Sequence, residues 1–143
     1  MLQHIHHIAI ICSDYAKSKA FYTEVLGLEI LKETYREERK SYKLDLALNG
    51  TYCIELFSFP NAPNRVSRPE AQGLRHLAFS VKDIEVAIKE LQSKGVTTEA
   101  IRVDEITGKR FTFFEDPDHI EFLNLDMLGG KLLFYRKHLE LCP

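Results

Sequence analysis

The chain carries one pattern twice. His7-Ile8-Ala9-Ile10 returns as His76-Leu77-Ala78-Phe79. In each copy an aspartate lies seven residues after the histidine, Asp14 and Asp83. A glycine follows 13 residues further on in the first copy (Gly27) and 12 in the second (Gly95). Each copy then ends on a glutamate set among apolar residues, Ile54-Glu55-Leu56-Phe57 and Ile120-Glu121-Phe122-Leu123. A repeat of about 60 residues is one supersecondary unit, and two of them must share one architecture.

The local signals give that unit a β-α-β-β-β order. Residues 4–12 are Ile-rich and short enough for a strand. Asp14 is placed to cap a helix over 14–25, with Ala20, Phe21 and Val25 at helical spacing, and Gly27 suits the helix end. Strands are expected at 28–35, 42–48 and 51–59, the last two joined by the hairpin signal Asn49-Gly50. In the second copy, strands are expected at 74–81, 97–103, 110–115 and 119–125. A helix begins after Asp83, with Ile84, Ala87, Ile88 and Leu91 on one stripe. The expected fold class is therefore α+β, two βαβββ modules in tandem with helices on the outer face. Module one spans 4–59, a Pro-rich linker spans 60–73 and module two spans 74–125. Together they form a single domain over 1–126, and 127–143 is a tail or short helix.

Composition bounds the function. With 143 residues and 45% hydrophobic content there is enough chain for one domain with a core. Lys and Arg number 19 against 21 Asp and Glu, so no basic excess points to nucleic acid. No apolar run approaches the ~18 residues of a membrane span, and the first residues lack a signal-peptide pattern. Cys12, Cys53 and Cys142 are three, widely spaced, and without a CxxC pair. A reducing, cytoplasmic setting is expected.

Strand alternation tests whether the repeat has chemical meaning. His7 shares a face with Ala9 and Ile11, opposite Ile8, Ile10 and Cys12. His76, Glu55 and Glu121 likewise each stand on the face opposite the more apolar set. A carboxylate among Ile, Leu and Phe is rare unless it is paired or binds a metal. Two imidazoles and two carboxylates suit a divalent metal: Ni, Zn, Co, Mn or Fe. The candidate ligands are His7, Glu55, His76 and Glu121. His6 competes with His7 on sequence alone. His119 and His138 have no repeat partner and read as surface residues, Cys53 reads as a buried thiol, and Gly108-Lys109-Arg110 reads as a solvated turn, with the holding of an anionic substrate group as the alternative. The sequence contains no phosphate-binding glycine loop and no Ser/His/Asp nucleophile pattern.

With these residues in view, the chain resembles the vicinal oxygen chelate superfamily, also called the glyoxalase/bleomycin resistance/dioxygenase superfamily. The matching stretches are HHIAIICSDYAKSKAFYTEVLGL (6–28), YCIELFSF (52–59), GLRHLAFSVKDIEVAIKEL (73–91) and GKRFTFFEDPD (108–118). The lactoylglutathione lyase-like branch is the nearest in pattern. The resemblance implies a U-shaped mixed sheet around a metal, commonly a homodimer, and a small-molecule substrate. It implies metal ligation by His7, Glu55, His76 and Glu121. It also implies a glyoxalase-type lyase or isomerase that uses metal-stabilised enediolate chemistry. Glutathione or another thiol would be the cosubstrate, Glu121 the first choice of base and Glu55 the second. The alternatives within the resemblance are an Fe(II) extradiol dioxygenase, a thiol transferase or a non-enzymatic binding and resistance protein. One departure stands out. The superfamily usually has DPDG, two or three further residues, then the last glutamate, whereas here Asp118 is followed directly by His119-Ile120-Glu121. The turn therefore reads as about two residues short, with Glu121 aligned to Glu55 by its apolar neighbours.

Overall fold

A computed structural model describes residues 1–127. The expected tail from 128 onward lies outside the described residues. The chain divides into two compact units, Met1–Ala71 with Asp116–His119, and Gln72–Glu115 with the chain from Ile120.

Unit one runs β1 (Ile8–Ile11), α1 (Tyr15–Ala20), β2 (Glu29–Arg36), β3 (Ser41–Leu48) and β4 (Thr51–Phe57). Unit two runs β5 (His76–Val81), α2 (Ile84–Ser93), β6 (Arg102–Val103), β7 (Arg110–Glu115) and β8 (Glu121–Asp126). The strand order is β1-β4-β3-β2 in one sheet and β5-β8-β7-β6 in the other. The duplication read from the sequence is therefore a duplication of topology. In each sheet the first strand pairs in parallel with the last, and the remaining neighbours are antiparallel.

Local chemistry explains the element ends. The Asp14 carboxylate accepts from Lys17 N, and Asp83 accepts from Glu85 N and Val86 N, so both helices begin on the aspartates that the repeat marks. Such a cap contributes about 1 kcal/mol. Asn49 and Gly50 have φ of 51° and 73°. Two consecutive positive φ angles make the primed hairpin turn that Asn-Gly favours.

Three expectations change. The helix over 14–25 is α-helical only to Ala20 and continues as a π-helical turn over Phe21–Val25, with Leu26 N bonded to Phe21 O at 3.0 Å. That wider turn holds two adjacent buried aromatics, Phe21 and Tyr22. The strand expected at 97–103 shrinks to Arg102–Val103, with one bridge from Thr98 to Phe114. The remainder of 97–103 is held differently, with Glu99 N on Phe113 O and the Thr112 hydroxyl on Glu99 O. The last strand begins at Glu121, because His119 sits in the left-handed region at φ 63° and donates its N–H to Asp116 O.

Alternation divides each sheet as expected. In unit one, Ile10, Cys12, Leu44, Leu46, Ile54 and Leu56 are buried. In unit two, Ile84, Leu91, Phe114 and Phe122 are buried. Each such side chain contributes about 1.5–3 kcal/mol by leaving water.

The Asp-Pro-Asp turn has a structural duty that the sequence did not announce. Within unit one, Asp118 accepts from Ser13 N through both oxygens and from the Ser18 hydroxyl. Asp116 accepts from the Tyr22 hydroxyl at 2.7 Å, and both residues are buried. Burial and the neighbouring Asp116 push the Tyr22 phenol well above its ordinary range, so it stays a donor. Tyr22→Phe should lower stability by about 1–3 kcal/mol, because it takes a donor from a buried carboxylate. Urea unfolding of the two proteins measures this, and an unchanged midpoint would contradict it.

Candidate metal centre

The candidate residues of unit one are placed by the β1–β4 ladder. Ile8 pairs with Ile54 and Ala9 with Glu55, so His7 enters β1 from just before the ladder. His7 Nε2 lies 3.3 Å from Glu55 Oε2. The His7 ring stacks on Tyr52, with centroids 5.3 Å apart, and its Nδ1 lies 2.8 Å from His6 Nδ1. The structure thus separates the two sequence candidates: His7 meets Glu55, and His6 packs edge-on against Tyr52.

Glu55 is held by its surroundings. The Tyr52 hydroxyl donates to Oε1 at 2.6 Å, and Lys43 Nζ lies 2.6 Å from the same oxygen. Asp45, opposite Glu55 on β3, accepts from both Lys43 and Tyr52. Burial opposes the charge on Glu55, but the bonds from Lys43 and Tyr52 outweigh it and keep the carboxyl below the ordinary range. Asp45 and then Glu55 keep the Lys43 ammonium protonated to higher pH than usual. Sequence reasoning missed Lys43, Asp45 and Tyr52. The signal was there in part: Asp45 and Lys43 share one face of β3, and the hairpin register brings it against Glu55.

The candidate residues of unit two lie on the β5–β8 ladder, where His76 pairs with Glu121. His76 packs edge-on against Phe113 with centroids 5.6 Å apart, and its Nδ1 is buried without a hydrogen-bond partner. Arg102 lies over both Phe111 and Phe113, at 5.4 and 5.0 Å from the ring centres.

The fit to a divalent cation can be judged from these donors. Two ligands at right angles with bonds of about 2.1 Å stand about 3 Å apart. The 3.3 Å between His7 Nε2 and Glu55 Oε2 is close to that bite. With Oε1 engaged by Lys43 and Tyr52, Oε2 is the oxygen left to ligate. Ligation would also satisfy a buried imidazole nitrogen such as that of His76. The His7–Glu55 pair therefore fits two neighbouring positions on such an ion. Among the described residues, no three His, Cys, Asp or Glu side chains form a ready metal cluster.

The ladders correct one reading. Glu55 stands opposite Ala9, two residues after His7, whereas the residue opposite Ala78, two after His76, is Leu123. Leu123 therefore stands on its ladder where Glu55 stands, two residues beyond the Glu121 that the apolar neighbours suggest. The turn is not shortened. His119 takes the left-handed place of the usual glycine, and three residues then lead to position 123. Arg110 is also accounted for: it donates to Asp126 at 2.6 and 2.9 Å and to Glu85 at 2.9 Å, so it is structural rather than a solvated turn residue.

Comparison with known proteins agrees with this architecture. Residues 4–123 match the Glyoxalase/Bleomycin resistance protein/Dioxygenase superfamily, and the chain belongs to it. It is 66% identical over 120 residues to the uncharacterized protein YwkD of Bacillus subtilis (strain 168), covering 84% of this chain and 94% of that one. It is 64% identical over 117 residues to the uncharacterized protein YaeR of Escherichia coli (strain K12), covering 82% and 91%. The crystal structure of a glyoxalase family protein from Enterococcus faecalis superposes with a TM-score of 0.81 at 47% identity, covering 87% and 98%. At 27–28% identity the relatives include a 2-epi-5-epi-valiolone epimerase from Actinomyces sp, the lactoylglutathione lyase of Schizosaccharomyces pombe and the metallothiol transferase FosB of Staphylococcus saprophyticus. Among the described residues no helix is long and apolar enough to cross a membrane.

The pairing of Lys43 with Glu55 has a testable sign. Because the Glu55 carboxyl is depressed, its contribution to stability is present above the unfolded pKa and is lost as pH falls through the folded one. Lys43→Met should move the Glu55 titration upward in a carbon-13 NMR experiment on metal-free protein. A Glu55 titration unchanged by the substitution would contradict the assigned cause.

Proposed function

We propose that the protein is a metal-dependent lyase or isomerase of the glyoxalase type. It acts on a small carbonyl substrate, with glutathione or another thiol as cosubstrate. His7, Glu55 and His76 hold one divalent ion, and Glu121 serves as the base. The observation that carries this reading is the 3.3 Å approach of His7 Nε2 to Glu55 Oε2 at the start of a parallel ladder whose counterpart begins with His76. The 27% identity to a lactoylglutathione lyase supports it.

When bound, the ion supplies positive charge to adjacent substrate oxygens, stabilising the anion left by proton abstraction. Glu55 serves the ion rather than the proton. Its carboxyl is held ionised by Lys43 and Tyr52, and a depressed pKa makes a weak base. That leaves Glu121, opposite His76 on the neighbouring strand, to carry the proton between substrate carbons. Phe111, Phe113 and Leu123 share the sheet face of His76 and give it an apolar lining that favours charge–charge contacts over hydration.

A second reading, an Fe(II) extradiol dioxygenase, is favoured by one observation. With Leu123 opposite Ala78, the donor set is two histidines and one carboxylate, which is also the ligand set of non-haem iron oxygenases.

Protein loaded in turn with Ni, Zn, Co, Mn and Fe(II) should be incubated with methylglyoxal and glutathione and assayed for thioester. Turnover that chelation abolishes and metal restores is the expected result. No thioester with any of the five metals, together with catechol ring cleavage under Fe(II), would replace the first reading with the second.

A further inference from the structure

We infer that Leu123 occupies the place in module two that Glu55 occupies in module one, so that the chain offers the metal three ligands and Glu121 stands off it. The inference rests on the metal reading above and concerns which residues take part.

The equivalence is fixed by three independent markers. His7 and His76 each precede their helix-capping aspartate by seven residues. The strand orders of the two sheets are the same. The ladders then run in step: Ala9 pairs with Glu55 and Ala78 with Leu123, while Asp45 pairs with Glu55 and Phe113 with Leu123. Two residues further along, on the same face, Lys43 faces Phe57 and Phe111 faces Leu125. The polar group around Glu55 thus has an apolar counterpart, Leu123 with Phe111 and Phe113. That exchange is coherent, because no lysine or aspartate remains there to support a carboxylate.

Glu121 stands two residues, about 6.6 Å of strand, before the position of Leu123. The strand is pinned at both ends. Before it, the turn is locked by the His119 N–H on Asp116 O and by Asp118 on Ser13. At its far end the fully buried Asp126 receives two bonds from Arg110. Three protein ligands would leave such an ion more open to substrate oxygens than four would.

The test is Co(II) binding to metal-free protein by titration calorimetry, with wild type, Glu55→Gln, Glu121→Gln and Leu123→Glu. Glu121→Gln should bind within about twofold of wild type, whereas Glu55→Gln should bind at least about tenfold more weakly. Leu123→Glu, at a partly exposed position, should bind at least about tenfold more tightly, having gained a ligand. Equal weakening by Glu55→Gln and Glu121→Gln would overturn the inference and leave the metal reading intact. Leu123→Glu binding no more tightly than wild type would also overturn it. Absence of Co(II) binding by wild type would instead sink the metal reading itself.

Discussion

The parallel pairing of the first strand of each module with its last is the constraint on which the rest depends. β1 lies beside β4 and β5 beside β8, with a helix between the partners in sequence. Adjacent strands stand about 4.8 Å apart and their side chains alternate. A histidine at the start of one strand and a carboxylate on the matching face of the other are thereby brought to ligating distance without any special loop. His7 and Glu55 show the outcome at 3.3 Å. The opposite face of the same strands carries Ile10, Ile54 and Leu56 into the core, so sliding the ladder by one residue would bury the charges and expose the core.

The two modules use that frame for different chemistry. In the first, Lys43, Asp45 and Tyr52 surround Glu55 and hold it ionised. A charged carboxylate near the core is stable only with such partners. In the second, the corresponding face carries Phe111, Phe113 and Leu123, with Arg102 lying over the two phenyl rings. The two scaffolds share one topology, and the side chains around Glu55 are polar where those around Leu123 are apolar.

What the sequence revealed and what it hid follow from the range of each rule. The helix caps at Asp14 and Asp83 and the Asn49-Gly50 turn are local, and the structure has them where the residues put them. The repeat and its βαβββ order were legible because aspartate, glycine and apolar runs recur at fixed intervals. The register of β8 was not legible. Hydrophobic alternation has period two, so a two-residue offset leaves Ile120-Glu121-Phe122-Leu123 looking like Ile54-Glu55-Leu56-Phe57. Only the pairing of Ala78 with Leu123 separates them. The partners of Asp116 and Asp118 were hidden for another reason: Tyr22 and Ser13 lie about a hundred residues away, and no local pattern encodes that contact.

In the proposed site, one imidazole from each module would ligate one divalent ion. Proton NMR of the Co(II)-loaded protein counts them directly, since an imidazole N–H on a ligating ring is shifted far outside the ordinary range by the paramagnetic ion and exchanges with solvent. Two such signals are predicted, one lost in His7→Ala and the other in His76→Ala. A spectrum with one signal or none, or two that survive the His76 substitution, would contradict the account.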